Sequence, residues 1–298
     1  MLDGGLASEL AFRGAILDDA LWSAKVLLES ADRIRQLHLD YFEAGADVAI
    51  GASYQATYEG LARKGLTKAD SDRVFQHSIV LAQEARDQFK QAAGKDNRLP
   101  PIVAASIGPY GAFLADGSEY RGDYGLSKQA LVHFHQARLQ KLLSFQPDLL
   151  AIETIPCLLE AEAIIELLQE TPTKTAYLSF SCRDGRSLSS GEPFAAAVDL
   201  TLSCPQLIAV GINCTAPQLI SPLLKSAPSS PRVPFIVYPN KGESWDAQHK
   251  CWVPTKNASS LTEQVEEWYE LGARIIGGCC RVRPVDISDI RRKLMQIC

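Results

Sequence analysis

The sequence predicts an α/β fold, a single-domain (β/α)8 TIM barrel spanning residues 1–298. Three observations carry that prediction. Eight short apolar runs alternate with helix-forming stretches from one end of the chain to the other. Within the runs apolar and polar residues do not alternate, which marks strands buried on both faces. A length of 298 residues suits eight βα units. The competing fold, an open doubly wound sheet, announces itself by a glycine-rich phosphate loop after its first strand. Asp3-Gly4-Gly5 is too short for that loop, and no P-loop pattern occurs elsewhere.

Leu2-Asp3 reads as the end of the first strand. Ser30 is placed to cap a helix that buries Ile34, Leu37 and Tyr41, and Gly45 ends it. Asp47–Ile50 is the next strand. Thr67-x-x-Asp70 has the form of a capping box for a long helix running to about residue 93. Ile102–Ser106 is a strand, Ser127 caps the following helix, and Asp148–Ile152 is a strand again. Pro156 starts a helix with Leu158, Ala161, Ile165 and Leu168 on one face. The strand Thr175–Phe180, a short helix over 193–203 and the strand Leu207–Ile212 follow. A helix over 216–226 leads through a Pro/Ser linker to the strand Val233–Tyr238. Ser260-x-x-Glu263 is a second capping box, and its helix buries Leu261, Val265, Trp268 and Tyr269 before Gly272 closes it. The last strand ends in Ile275-Ile276. Pro284 opens a final helix carrying Ile287, Ile290 and Leu294. The similar junctions Glu43–Asp47 and Glu270–Arg274 reflect shared helix-to-strand turn chemistry rather than a duplication.

Composition narrows the function classes. The chain is 46% hydrophobic and 22% charged, as globular domains are. A net charge of -5 offers no basic face to nucleic acid. No apolar run approaches the roughly 18 residues of a membrane helix, and Met1–Gly5 lacks the features of a signal peptide. Eight cysteines without paired spacing make no disulfide framework. A cytoplasmic chain with reduced thiols is expected.

In a (β/α)8 barrel the chemistry lies at the C-terminal ends of the strands. The polar residues there are Asp3, Ser53-Tyr54-Gln55, Ser106, Glu153-Thr154, Asn213-Cys214, Tyr238-Pro239-Asn240 and Cys279-Cys280. Gly277 and Gly278 end the last strand, which lets two adjacent cysteines aim at one point. Cys214 ends a run two strands away in the predicted order. Three thiolates at strand ends form the pattern of a catalytic zinc site with an open fourth position, one zinc per chain. Each cysteine alone reads as a small buried hydrophobe, and the combination is what carries the site. Cys157, Cys182, Cys204 and Cys298 have no such context and read as structural. His249-x-Cys251 lacks a second ligand pair, and His133 and His135 point to different faces of a helix. Neither pair is assigned a function. Asp3 and Glu153 are either loop and cap hydrogen-bond acceptors or a pair that holds an ammonium group. The backbone of Asp3-Gly4-Gly5 offers N–H groups to a carboxylate. The loop over 107–126, rich in glycine and with Tyr110, Tyr120 and Tyr124, is long enough to be functional. Its rings either pack the loop or cover a cation.

These residues carry a resemblance. Asp3-Gly4-Gly5, Leu21–Ala24, Ser53–Thr57, Ala115–Tyr120, Glu153–Pro156, Gly211–Cys214, Val237–Asn240 and Gly277–Arg281 occur in one order along the whole chain. Together they resemble the homocysteine S-methyltransferases, especially the branch that uses S-methylmethionine. The resemblance implies an enzyme that moves a methyl group from S-methylmethionine, or S-adenosylmethionine, to homocysteine, giving methionine. It implies zinc on Cys214, Cys279 and Cys280 with the homocysteine sulfur as fourth ligand. Asp3, Gly4 and Glu153 fall where the family holds the amino-acid end, with Asn213, Tyr120 and Tyr124 as further substrate contacts. The alternatives are betaine as donor, or a barrel that binds zinc and thiols without catalysis. Three departures stand out. The first strand begins at Met1 and is expected to be shortened. Lys241 stands where the family favours a small residue, and Arg281–Pro284 replaces a Thr-rich stretch.

Overall fold

The computed structural model describes residues 1–15, 22–92, 98–172, 174–228, 231–242, 244–246, 251–253 and 260–297; the side chains of 22–25, 244–246 and 251–253 are not described. Its centre is a parallel sheet whose neighbours follow chain order. The first six strands are β1 (Val48–Ile50), β2 (Ile102–Ile107), β3 (Leu149–Ile155), β4 (Ala176–Phe180), β5 (Leu207–Asn213) and β6 (Phe235–Tyr238). A separate antiparallel pair, β7 (Ser244–Asp246) and β8 (Cys251–Val253), follows. The seventh sheet strand, β9 (Ala273–Ile276), then pairs with β6. Every neighbouring pair in the large sheet is parallel.

The expected first strand is a single bridge. Leu2 pairs in parallel with Val48 of β1. Its N–H donates to Ile276 O of β9 at 2.9 Å, and the Asp3 N–H donates to Val48 O at 3.1 Å. Met1 O accepts from the Val48 N–H and Asp3 O from the Gly278 N–H, each at 3.0 Å, so residues 1–3 join the two outer strands of the sheet. Pairing stops there because Gly5 turns away, its N–H donating to Val282 O at 2.9 Å, and the helix Leu6–Phe12 begins.

Strand side chains divide by parity, as the pleat requires. Val103, Ala105, Leu150, Ile152, Leu178, Val210, Ile212 and Val237 join the large core shared with the helices. Their neighbours Ala104, Leu149, Ala151, Tyr177, Ala209, Ile236 and Tyr238 form a second, smaller core with Leu2. Both faces are buried, which is why the strands read as continuous apolar runs.

The helix signals work with local differences. Thr67 and Asp70 make the reciprocal capping bonds that start the helix Lys68–Ala92. Ser260 and Glu263 do the same for Leu261–Glu270. Ser127 accepts from the Ala130 N–H at 3.2 Å. Ser30 sits at the cap position but makes no side-chain cap bond. Gly45 ends its helix in the left-handed region, with φ 113°. The helix expected from Pro156 begins at Leu158, whose N–H is met by Glu192 from a distant loop at 2.9 Å. Ile34, Leu37, Tyr41, Val265 and Trp268 are fully buried, whereas Tyr269 is not. The short helices Leu6–Phe12, Trp22–Glu29, Tyr58–Arg63 and Tyr110–Leu114 were not foreseen. They are too brief to show periodicity and depend on packing. Among the described residues no helix is long and apolar enough to cross a membrane.

Candidate metal and substrate site

Three cysteines meet at the C-terminal ends of the strands. The order β5–β6–β9 brings Cys214, just past β5, to Cys279 and Cys280, just past β9. The end of β6 positions both arms: Cys214 N–H donates to Tyr238 O at 3.3 Å and Cys279 N–H to Pro239 O at 2.8 Å. Cys280 O in turn accepts from the Lys241 N–H at 3.1 Å. The two glycines before the pair serve close approach. A Cβ on Gly277 would lie 2.5 Å from Leu2 Cβ, and one on Gly278 would overlap Val282. The left-handed residue of the turn is instead Arg281, with φ 69°.

The three sulfurs lie within 4.8 Å of one another, and Cys214 and Cys280 are 3.6 Å apart. Tetrahedral zinc with Zn–S bonds of about 2.3 Å sets its sulfurs about 3.8 Å apart, so the trio fits such an ion. Electrostatics point the same way. Hydrogen bonds from Cys279 and Cys280 hold the Cys214 thiol well below the usual range, and those bonds push the Cys279 thiol up. By themselves the three stabilise one thiolate. Ionising all three requires a cation. The Tyr120 hydroxyl stands 3.2 Å from Cys214 Sγ.

Carboxylates surround the thiols. Asp3 is 2% exposed; one oxygen accepts from the Ile50 N–H at 2.8 Å and the other has no hydrogen-bond partner among the described residues. Burial, then the neighbouring Glu153, raises its carboxyl well above the ordinary value. Glu153 accepts from Ser106 Oγ and, at 3.1 Å, from Tyr238 OH. Burial pushes its carboxyl up to about 7 despite those two hydrogen bonds. Gly4 packs against Val282 O and the Tyr41 ring. Asn213 is fully engaged inside the sheet. Its Oδ1 accepts from the Thr154 N–H at 2.8 Å and Ser179 Oγ at 2.9 Å, and its Nδ2 donates to Thr154 Oγ1 at 2.7 Å. These bonds tie the ends of β3, β4 and β5 together. Thr154 and Cys214, both non-glycine residues at positive φ, are the two turns so held.

The tyrosines of the long loop separate. Tyr120 reaches the thiols. Tyr124 packs edge-on to Tyr110 at 5.3 Å, and Tyr110 packs on Phe134 at 4.8 Å. Behind them lies a buried polar chain that the residue pattern did not suggest. Arg138 donates to Gly108 O and to His135 Nδ1; His135 Nε2 donates to Glu160 at 2.8 Å; Glu160 accepts the Tyr110 N–H at 2.6 Å. Arg138 can only donate, so His135 is neutral with its proton on Nε2. Burial, reinforced by Arg138, lowers its pKa to about 4. Glu119, also unassigned from sequence, has a buried carboxyl oxygen without a hydrogen-bond partner among the described residues. Burial first, then Cys214 and Asp116, push that carboxyl up to about 7. Ser106 and Tyr238 were visible as strand-end residues, but their roles emerge only from Glu153. Cys157, Cys182 and Cys204 are unpaired thiols away from the trio. His249 and Cys298, and the side chain of Cys251, lie outside the described residues.

A parallel α/β sheet with convergent thiols and buried carboxylates at its strand ends was compared with known proteins. The family model described as homocysteine S-methyltransferase matches residues 1–294. Homocysteine S-methyltransferase YbgG of Bacillus subtilis is 48% identical over 291 residues, covering 97% of this chain and 92% of that protein. Homocysteine S-methyltransferase of Escherichia coli is 45% identical over 294 residues, covering 98% and 94%. The metallated form of the homocysteine methyltransferase MmuM from Escherichia coli superposes with a TM-score of 0.87 at 43% identity, covering 98% of this chain and 95% of that one. Its oxidised form gives 0.86. Fold, site and relatives define an enzyme of the methyltransferase class. The chain belongs to the homocysteine S-methyltransferase family.

Proposed function

We propose that this chain transfers a methyl group from a sulfonium donor, S-methylmethionine in the first instance, to the sulfur of homocysteine, and that it does so on one zinc ion held by Cys214, Cys279 and Cys280. The observation that carries this reading is the convergence of three thiols, from two separate strand ends, within 4.8 Å. Bound there, zinc would make the thiolate the stable form of a substrate sulfur that otherwise titrates near 8.5. The rest is the work of the chain. Asp3, with one open carboxyl oxygen, and Glu153 hold the homocysteine ammonium. The backbone at Gly4 lies beside its carboxylate. The cysteines keep the site electron-rich, which favours attack on a methyl group leaving a positive sulfur. Tyr120 lines the donor side, Tyr124 supports the loop that carries it, and the loop excludes water. Asn213 fixes the strand ends that present Cys214 and Thr154. Positioning is the main contribution, and no side-chain base is required.

We read the sheet, joined edge to edge through Leu2, as a (β/α)8 barrel forming one domain over residues 1–298, in a cytoplasmic enzyme. Metal analysis of Cys214→Ser, Cys279→Ser and Cys280→Ser tests the centre. Each variant should lose most of its zinc and its turnover of homocysteine. Full zinc retention in any one removes that residue from the site. Rates with S-methylmethionine, S-adenosylmethionine and betaine then rank the donors.

A further inference from the structure

Glu119 is an acidic side chain near the thiols to which the proposed transfer gives no role. It sits in the short helical turn Ser118–Tyr120, next to the residue whose hydroxyl is 3.2 Å from Cys214 Sγ. The turn is fixed in place. Glu119 O accepts from Ser181 Oγ at 2.9 Å, and the backbone of 118–119 packs so tightly on Gly111 that a Cβ there would overlap it. The carboxyl group acts electrostatically on Cys214 and on Tyr54, both part of the same site. Yet its Oε2 is buried and has no hydrogen-bond partner among the described residues.

The neighbouring cation answers it only in part. Arg121 acts on the Glu119 carboxyl through space, but its own contacts are to other groups: it donates to Ser118 Oγ at 2.8 Å and lies 3.6 Å from both Asp116 and Asp123. The other groups facing Glu119, namely Cys214, Asp116 and Tyr54, are anionic or neutral. A buried carboxylate oxygen with no hydrogen bond and only a distant cation is costly, and it persists where a ligand supplies the missing donor and charge. Homocysteine brings one ammonium, for which Asp3 and Glu153 already stand. A sulfonium amino-acid donor brings two positive groups. An anion set on the sulfonium would slow transfer, because that charge vanishes in the reaction. An anion set on the ammonium binds ground state and transition state alike.

We propose that Glu119 is the donor-specificity residue, its carboxylate binding the ammonium group of the sulfonium amino acid. This rests on reading the site as a methyl-transfer centre. The test compares wild type with Glu119→Gln, using S-methylmethionine and a carboxyalkyl dimethylsulfonium that lacks the amino group. Loss of one charge-assisted hydrogen bond should raise the S-methylmethionine KM roughly 10- to 150-fold. The kcat, the homocysteine KM and the zinc content should stay near wild type. The amine-free donor should be equally poor with both proteins. Equilibrium binding of S-methylmethionine, measured without homocysteine, should weaken by the same factor as KM. An unchanged donor KM overturns the proposal, and so does equal weakening of both donors. Thermal unfolding of Glu119→Gln should show no loss of stability at neutral pH, since Oε2 has no hydrogen-bond partner among the described residues and burial penalises its charged form. Glu119→Asp retains the charge on a shorter arm and should give an intermediate donor KM; a wild-type value would also overturn the assignment. If wild type turns over no sulfonium donor, the methyl-transfer reading fails, and the binding comparison still decides what Glu119 recognises.

Discussion

Glu153 shows how much one buried carboxyl can reveal. Its folded pKa is raised from 4.5 to about 7 by burial. Between those values the folded protein holds more protons than the unfolded chain. The stabilisation is therefore complete below about pH 4.5 and is lost as pH rises through about 7. For the metal-free protein this amounts to about 3 kcal/mol at most. Glu119, raised to about 7 as well, adds a second slope of the same sign. Glu153→Gln should thus remove part of the fall in stability between about pH 5 and about pH 8, read as urea midpoints. It should also raise the homocysteine KM roughly 10- to 150-fold with zinc retained. A shift in donor KM alone would put this carboxylate on the other substrate. Asn213, which the family resemblance marks as a substrate contact, is held by three hydrogen bonds from its amide to Thr154 and Ser179 at the strand ends.

Among the elements, the loop between β2 and the helix Lys128–Leu143 matters most. Its glycines and aromatics announced a functional loop, but not what fixes it. The anchor is the chain Arg138, His135, Glu160, Tyr110 N–H, drawn from two helices and the loop itself. Arg138 is buried, and burial lowers its pKa to about 10, against the opposing charge of Glu160. Glu160→Ala would remove the larger of the two carboxylates acting on that cation, leaving Glu59, and would leave His135 and the Tyr110 N–H without their acceptor, at a cost of about 1–3 kcal/mol. Chemical denaturation should register the loss. The donor KM should rise more than the homocysteine KM, because Tyr120 rides on this loop. Equal stability would mean that the loop is held by its aromatic packing alone. Helix geometry put His133 and His135 on different faces without saying which is buried; Arg138 lies one turn on in the same helix, but the bond to Glu160, 25 residues on, is legible only once two helices pack together.

The seam between β1 and β9 involves the whole molecule. Leu2 is 1% exposed and bonded to both edges. Leu2→Ala should cost about 2–5 kcal/mol, measured by thermal or urea unfolding. A loss below about 1 kcal/mol, the size of a surface effect, would show that the seam is held elsewhere. The departures from the family pattern reinforce this region. Lys241 Nζ is 2.9 Å from both carboxylate oxygens of Asp286, tying the end of β6 to the last helix. Arg283 pairs with buried Glu9 at 2.7 Å and lies over the Phe12 ring, fastening the first helix to the loop after the cysteines. Val282 is fully buried, and its carbonyl accepts from Gly5 N–H and Tyr41 OH.

Periodicity, capping residues and strand-end punctuation were enough to predict the parallel α/β order and most helix limits, because these depend on neighbours a few residues apart. The same local signals marked Cys214 and Cys279-Cys280 as thiols at strand ends, and the run of motifs identified the family. Other features depend on distance in space. Leu2 bridges strands 46 positions onward and near the far end of the chain, so its pairing has no local signature. Glu192 caps a helix 34 residues before it, and Glu160 receives a backbone N–H 50 residues before it. Glu119 reads as one acid in a polar loop. Its significance comes from a buried oxygen, under the influence of Cys214 and without a hydrogen-bond partner among the described residues, a property of the packed molecule and not of any stretch of its sequence.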